Sequence, residues 1–140
     1  MSDYEPRIIA FVCNWCTYTA ADLAGTSRLV QPSNIRMIRM MCTGMVDPKY
    51  VVKALLEGAD GVLISGCHPG DCHYINGNLK ARRRVKLLQE ILPQFGFDQR
   101  RVKLTWIGAS EGIDFARTVK ELVTEIRALG PSDVRQQMVL

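Results

Sequence analysis

The sequence predicts an α/β fold, a single domain with a parallel sheet of about four strands and helices on both faces. Short apolar runs of strand length alternate along the chain with longer amphipathic segments of helix length. This alternation is typical of βαβ units. The 140 residues are enough for one domain with a core, and no repeat or linker divides them.

The predicted elements follow one another in order. Four apolar runs are predicted strands, at residues 8–12, 35–41, 61–65 and 102–107. The predicted helices lie between and after them, at residues 19–29, 48–57, 78–92 and 111–129. Asp47 and Ser110 are the predicted N-caps of the second and fourth helices, and Gly130-Pro131 is a stop signal. Right-handed crossovers put helices on both faces. The expected layout is therefore flavodoxin-like and doubly wound, with a domain at 1–131 and a C-terminal tail at 132–140.

Composition excludes several classes of protein. The chain is 47% hydrophobic and 23% charged, with a net charge of +4. No apolar stretch approaches the ~18 residues of a membrane span, and the N-terminus lacks the pattern of a signal peptide. Few aromatic residues accompany the basic ones, which argues against nucleic-acid binding. We expect a cytoplasmic protein that binds neither membrane nor nucleic acid.

All five cysteines directly follow predicted strands. Cys13 and Cys16 follow the first strand, Cys42 follows the second, and Cys67 and Cys72 follow the third. Ligands and cofactors of open α/β sheets bind outside the carboxyl ends of the strands. Thiols in a reducing cell bind metals or perform redox chemistry more often than they form disulfides. An odd number of cysteines, five, also argues against a closed set of disulfides. The sequence therefore predicts a metal or iron–sulfur site at this edge.

The two cysteine pairs leave alternatives open. Cys13-x-x-Cys16 by itself suits a thioredoxin-like redox pair or a zinc site. The loop from Cys67 to Cys72 contains Pro69 and Gly70, and such a turn favours a small iron cluster. The alternatives are a thiol–disulfide oxidoreductase that uses Cys13 and Cys16, and a structural zinc module without a redox role.

Other side chains near the cysteines have predicted supporting roles. His68 and His73 flank the third cysteine loop, and we expect their imidazoles, or the backbone amides of the loop, to hydrogen-bond sulfur and tune its potential. Trp15 and Tyr74 are expected to exclude water from the site. The basic helical segment 80–86 is either an ordinary solvated face or a docking patch for an acidic partner.

The cysteine segments also carry a family resemblance. The runs FVCNWCTYTAADLAGTSR, MCTGMVDP and GCHPGDCHYINGN resemble the delta (iron–sulfur) subunit of methyl-viologen-reducing hydrogenase of methanogenic archaea. The resemblance implies a cytoplasmic electron-relay subunit of methanogenesis that carries one 2Fe–2S cluster and catalyses no bond-making step. It further implies two partners. One is a hydrogenase small subunit or a formate dehydrogenase beta subunit, and the other is the flavin-bearing A subunit of heterodisulfide reductase.

Such a cluster needs four protein ligands, and the chain has five cysteines. The CxxC and CxxxxC segments are each able to supply two neighbouring thiolates. Cys42, which stands alone in the sequence, is therefore the expected surplus residue.

Overall fold

The predicted strands form one parallel sheet with the strand order β2-β1-β3-β4. The structure is a computed structural model that describes residues 4–132. Its strands are β1 (Ile8–Cys13), β2 (Ile35–Met40), β3 (Gly61–Gly66) and β4 (Val102–Trp106). All three strand pairings are parallel. The predicted tail at 132–140 lies outside the described residues, apart from Ser132.

The helices lie on both faces of the sheet. They are α1 (Thr17–Thr26), α2 (Pro48–Leu56), α3 (Gly77–Ile91) and α4 (Gly112–Leu129). Three short 3₁₀ turns connect the elements, at Thr43–Met45, Leu92–Phe95 and Gln99–Arg101. One core cluster joins α1 and α4 to the sheet, and a second joins α2 and α3 to the opposite face. The prediction of a single α/β domain is confirmed, and the arrangement is consistent with a flavodoxin-like layout.

Alternating side chains of β1 fill both core clusters. Ile8, Ala10 and Val12 point toward α1 and α4, whereas Phe11 packs on the side of α2 and α3. This alternation follows from the two-residue period of a strand. In β3 every residue is buried, as expected of a central strand covered on both faces. The two central strands are therefore firmly held, and so are the residues that follow them.

The cap predictions had different outcomes. Asp47 is confirmed as the N-cap of α2, because its carboxylate accepts the N–H of Lys49 at 2.9 Å. The prediction that Ser110 caps α4 is wrong, since the helix begins at Gly112 with Glu111 at its N-cap. Glu111 closes a turn onto Gly108: its N–H donates to the Gly108 carbonyl at 3.0 Å, and its carboxylate accepts the Gly108 N–H at 2.6 Å. That turn delays the start of the helix.

Strand β2 forms an edge of the sheet that the helices leave open. Each of its six residues is at least partly exposed, including Met37 and Ile38 at 42% and 43%. An open groove of about 950 Å³ lies between β2 and α2, with Ile38 and Tyr50 among its lining residues. Among the described residues, no helix combines the length and apolarity needed to cross a membrane.

Candidate metal centre

The structure brings all five cysteines to the carboxyl edge of the sheet, as predicted. Each is buried, with exposures between 2% and 9%, and none forms a disulfide. Their sulfurs fall into two groups. We call Cys13, Cys16 and Cys67 the three-sulfur group, and Cys42 and Cys72 the two-sulfur group. The CxxxxC segment is thus divided between the groups, although sequence spacing suggested that its two cysteines act together.

The three-sulfur group is built on the two central strands. Cys13 is the last residue of β1, and Cys67 directly follows β3, its neighbour in the sheet. Cys16 comes immediately before α1, which starts earlier than the sequence predicts. The three Sγ atoms lie within 4.8 Å of one another. The Sγ of Cys67 is 3.0 Å from that of Cys16 and 3.8 Å from that of Cys13.

The two-sulfur group is built from loops. The Sγ atoms of Cys42 and Cys72 are 3.7 Å apart. Cys42 begins the 3₁₀ turn after β2, and its sulfur accepts the N–H of Gly44 at 3.4 Å. Gly77 provides the space in which the two sulfurs meet. A Cβ atom at Gly77 would lie 2.3 Å from the Cys42 sulfur and 3.4 Å from the Cys72 sulfur, so this close approach requires glycine.

These separations suit a metal bound by thiolates. Two ligands of one tetrahedral metal with metal–sulfur bonds of about 2.3 Å lie about 3.8 Å apart. The Cys13–Cys67 and Cys42–Cys72 separations, 3.8 and 3.7 Å, agree with this spacing. Thiolates are the ligands of zinc and of iron–sulfur clusters. The donor set therefore fits either a structural metal or a small cluster.

The surroundings of Cys72 favour its thiolate. Burial acts to raise the pKa of the Cys72 thiol, but three backbone N–H groups oppose it. They belong to Asn78, Tyr74 and Gly77, and together with the Cys42 thiol they hold the pKa below its ordinary value. For Cys42 burial dominates and raises the pKa of the thiol. Within this pair the negative charge is thus better accommodated on Cys72.

Cys13 has the corresponding position in the three-sulfur group. A hydrogen bond with the Cys16 thiol lowers the pKa of Cys13 to about 6, with help from the backbone N–H of Trp15. The same interaction raises the pKa of Cys16 above its ordinary value. Burial raises the pKa of Cys67 to about 11. Each group therefore contains one cysteine whose pKa lies below its ordinary value, which favours the thiolate form that binds metals.

Asn78 anchors the third cysteine segment, a role that the sequence did not reveal. Its side chain is buried, and its Nδ2 donates to the carbonyls of Cys67 and His68, both at 2.9 Å. Its backbone N–H contributes to the thiolate environment of Cys72. One residue thus fixes both ends of the loop. Asn76 has the same chemistry two positions earlier, so no sequence signal singles out Asn78.

Hydroxyl groups next to Cys16 hydrogen-bond one another and hold the start of α1 in place. Thr17 donates to the carbonyl of Ile107 at 3.1 Å, and its hydroxyl lies 3.1 Å from that of Ser65. Thr105 donates to Ser65 at 2.9 Å. These contacts tie the start of α1 to β3 and β4. No local sequence pattern predicts these contacts, because they join residues far apart in the chain.

The two histidines have other partners than sulfur in this structure. The Nε2 of His68 pairs with the carboxylate of Glu111. The ring of His73 stacks on Trp15 at a centroid distance of 4.0 Å. Hydrogen bonds to the sulfurs come from backbone amides and neighbouring thiols, and the Cys16 thiol lies 3.7 Å from the Thr17 hydroxyl, which can accept from it. The predicted imidazole–sulfur bonds therefore stay a prediction.

The aromatic residues form a layer beside the thiols. The indole N–H of Trp15 donates to the hydroxyl of Tyr74 at 3.4 Å, and His73 stacks on the same indole. Trp15 and Tyr74 are both almost half exposed. A cleft of about 340 Å³ runs along this layer, and Cys16 and Cys67 are among its lining residues.

Known proteins resemble this chain over nearly its whole length. A profile of the family described as methyl-viologen-reducing hydrogenase, delta subunit, matches residues 8–130. The iron-sulfur D subunit of the vhc F420-non-reducing hydrogenase of Methanococcus voltae is 48% identical over 134 residues, covering 96% of this chain and 93% of that protein. The iron-sulfur D subunit of the F420-non-reducing hydrogenase of Archaeoglobus profundus is 50% identical over 129 residues, covering 92% and 94%.

A further relative is much longer than this chain. It is the A subunit of the ferredoxin/F(420)H(2)-dependent CoB-CoM heterodisulfide reductase of Methanosarcina acetivorans, which is 47% identical over 134 residues. The match covers 94% of this chain but 17% of that protein, so a domain of this kind is one part of a longer polypeptide there. The profile match and the hydrogenase relatives agree with the resemblance of the cysteine segments. The chain belongs to the methyl-viologen-reducing hydrogenase delta-subunit family.

Proposed function

We propose that this chain is an electron-transfer subunit that carries one 2Fe–2S cluster on thiolates at the carboxyl edge of its sheet. The observation that carries the proposal is the convergence of five buried thiols in two adjoining groups. Relatives that align over more than nine-tenths of the chain are named iron-sulfur subunits. The Cys13–Cys67 and Cys42–Cys72 sulfur separations match those of thiolates that share a metal.

The two groups suggest how the ligands are divided. Each iron of a 2Fe–2S cluster takes two thiolates from the protein. Cys42 and Cys72 suit one iron, and two members of the three-sulfur group suit the other. The surplus cysteine then belongs to the three-sulfur group. The pairing of Cys42 with Cys72 weighs against the sequence-based preference for Cys42 as the surplus residue.

The residues of this chain set the position and potential of the site. The N–H groups of Gly44, Tyr74 and Gly77 donate to sulfur and stabilise negative charge there. Asn78 fixes the loop that carries Cys67 and Cys72. The cluster would supply a one-electron carrier. Hydrogen bonds to sulfur and burial are the levers by which a protein adjusts such a carrier.

The proposed partners rest partly on the relatives and partly on the family resemblance of the cysteine segments. A domain similar to this chain is part of a heterodisulfide reductase A subunit in one relative, and other relatives are separate iron-sulfur subunits of hydrogenases. We propose that electrons enter from a hydrogenase small subunit or a formate dehydrogenase beta subunit. They leave to a heterodisulfide reductase A-like subunit, in the cytoplasm, as part of methanogenesis.

Iron and acid-labile sulfide determination on the anaerobically purified chain tests the cofactor. We expect about two irons and two sulfides per chain. Each iron of such a cluster takes two thiolates, so four of the five cysteines hold two irons. Stoichiometric zinc without sulfide would contradict the proposal and support the structural zinc module.

A second candidate function, thiol–disulfide oxidoreductase, has one observation in its favour. The pKa of Cys13 is lowered to about 6, as in the nucleophile of a CxxC redox pair. A colourless protein with a reversible Cys13–Cys16 disulfide would support it. The third thiol of the group favours a metal instead, since Cys67 lies within 3.8 Å of both cysteines of the pair.

A further inference from the structure

Ile75 has an unusual backbone conformation. It lies between Cys72 and α3 with a φ of 73°, in the left-handed region. A β-branched residue is rarely found there, because its side chain crowds the backbone. Among residues 4–132, Arg28 is the other non-glycine residue with positive φ, and it lies just after α1, where this conformation commonly ends a helix. Ile75 precedes a helix and needs a different explanation.

The backbone around Ile75 serves the sulfur of Cys72. The N–H of Ile75 donates to the Cys72 carbonyl at 3.0 Å, closing a tight turn. The N–H groups of Tyr74 and Gly77, on either side of that turn, contribute to the Cys72 thiolate environment. Glycine would adopt the same turn without strain. The backbone therefore explains the conformation but not the choice of isoleucine.

The side chain of Ile75 contributes little to the packing of this chain. It is 84% exposed, so it stabilises the core hardly at all. Trp15 and Tyr74, which hydrogen-bond each other, are exposed at 44% and 47%. Tyr74 directly precedes Ile75 in the chain. Large apolar residues exposed together beside a functional site are typical of protein interfaces. We call Trp15, Tyr74 and Ile75 the Ile75 surface.

The charges nearby define the chemistry of a partner. Helix α3 begins two residues after Ile75, and its first three turns carry exposed basic residues without an acidic one: Lys80, Arg82, Arg83, Arg84 and Lys86. A matching surface would combine an apolar recess with acidic side chains at one side. In one relative, a domain similar to this chain is part of a heterodisulfide reductase A subunit, so an A-like subunit is the partner that we consider.

We propose that Ile75 is the anchor residue that docks this chain onto a heterodisulfide reductase A-like subunit. Ile75, together with Trp15 and Tyr74, enters an apolar recess of that partner, and the basic helix meets acidic side chains beside it. The inference rests on the proposed function. It explains why a strained position holds a large apolar residue, because the side chain is buried only in the complex.

The test measures binding and stability of the same variants. The cluster-loaded chain is titrated with the heterodisulfide reductase A subunit of its own organism. Ile75→Gly should weaken binding at least about tenfold, as loss of an anchor residue does. It should also raise the melting temperature by about 2–4 °C, because glycine relieves the strained conformation. Ile75→Asn, which tolerates this conformation, should weaken binding to a similar degree.

Phe95→Ser provides the matched control. Phe95 is also apolar and 73% exposed, but it lies in the 3₁₀ turn after the far end of α3. This variant should bind like the unaltered chain. Opposite effects of Ile75→Gly on binding and stability separate an interface residue from a structural one.

Two outcomes would overturn the inference. Unchanged affinity of both Ile75 variants, while the unaltered chain binds, would show that the partner contacts a different surface. Weaker binding together with a lower melting temperature or an altered visible spectrum would assign Ile75 a structural role. Failure of the proposed function has a different signature, namely absence of iron and sulfide from the chain, or no binding of the unaltered chain to the heterodisulfide reductase partner.

Discussion

The three-sulfur and two-sulfur groups hold their cysteines in different ways. Cys13 and Cys67 stand at the ends of the two central strands, whose register fixes their relation. Cys42 and Cys72 lie in loops, and their contact depends on the missing side chain of Gly77 and on backbone amides. The comparison teaches that one half of the site is a property of the sheet, whereas the other half depends on a few local contacts that single substitutions can remove.

Serine substitutions should give the largest effects. Cys42→Ser and Cys72→Ser should each lose most of the bound iron, because each removes one of two thiolates from the two-sulfur group. In the three-sulfur group, one of the three serine variants should retain its iron, since that group has a surplus thiol. Iron and sulfide analysis, together with visible circular dichroism, measures how much of the cluster each serine variant retains.

Full iron content in Cys42→Ser would contradict this division of ligands. It would restore Cys42 as the surplus cysteine, as the sequence suggested. Loss of iron in every one of the five variants would instead show that the surplus thiol is structurally required.

Gly77→Ala should damage the two-sulfur group without removing any ligand. The added methyl group would meet the Cys42 sulfur at 2.3 Å, so the two sulfurs must separate. We expect the iron content to fall and the free energy of unfolding to drop by about 1–3 kcal/mol. Gly25→Ala is the matched control, because a Cβ at this exposed position of α1 meets nothing within 4 Å. It should raise stability by about 0.4–1 kcal/mol. Equal effects of both variants would refute the steric argument.

Asn78→Ala should loosen the loop that links the two groups. The change leaves the buried carbonyls of Cys67 and His68 without their donor. The expected loss in the free energy of unfolding is about 2 kcal/mol. Asn76→Ala is the matched control for the loss of an asparagine side chain from this segment, because the Asn76 side chain makes no cap hydrogen bond to α3. Denaturant titration of both variants should show a clear loss for Asn78→Ala alone.

Charge reversal on α3 should give the smallest effect. Arg82→Glu with Arg83→Glu changes exposed charges on the helix that begins at Gly77, beside the two-sulfur group, so the partner should associate about three- to tenfold more slowly at low salt. High salt should reduce the difference by screening. Arg84 is left unchanged because it donates to the Gly44 carbonyl in the loop after Cys42. Lys120→Glu on α4 is the control, and equal association rates for all chains would leave α3 an ordinary solvated face.

The sequence predicted the sheet and the convergence of the cysteines for the same reason. Apolar runs identify strands, and parallel strands end at one edge, so residues after Val12 and Ser65 had to meet. It did not predict the grouping of the thiols. Cys67 and Cys72 are close in sequence, but Gly70, with a φ of 94°, turns the loop so that each cysteine joins a different neighbour.

Contacts between residues that are distant in the chain also could not be predicted from the sequence. Asn78 and Gly77 are distinguished by what surrounds them in space, not by a local pattern. The predicted start of α4 was wrong for a similar reason. Glu111 folds back onto Gly108 and pairs with His68, whereas the sequence showed only that Ser110 has a side chain suited to capping. Local rules identify elements well, but they do not show which side chain a loop brings to its neighbour.

The open edge at β2 has a consequence for the chain on its own. Unpaired N–H and C=O groups along an exposed, partly apolar strand can template pairing with another strand, which leads to aggregation. Arg36 and Arg39 interrupt the apolar residues of β2, one toward each face of the sheet, and Arg39 is held over the ring of Tyr18 at 5.3 Å. Charges at such positions oppose edge-to-edge association between copies. The two arginines are thus placed to oppose pairing between copies at an edge that the described residues leave uncovered.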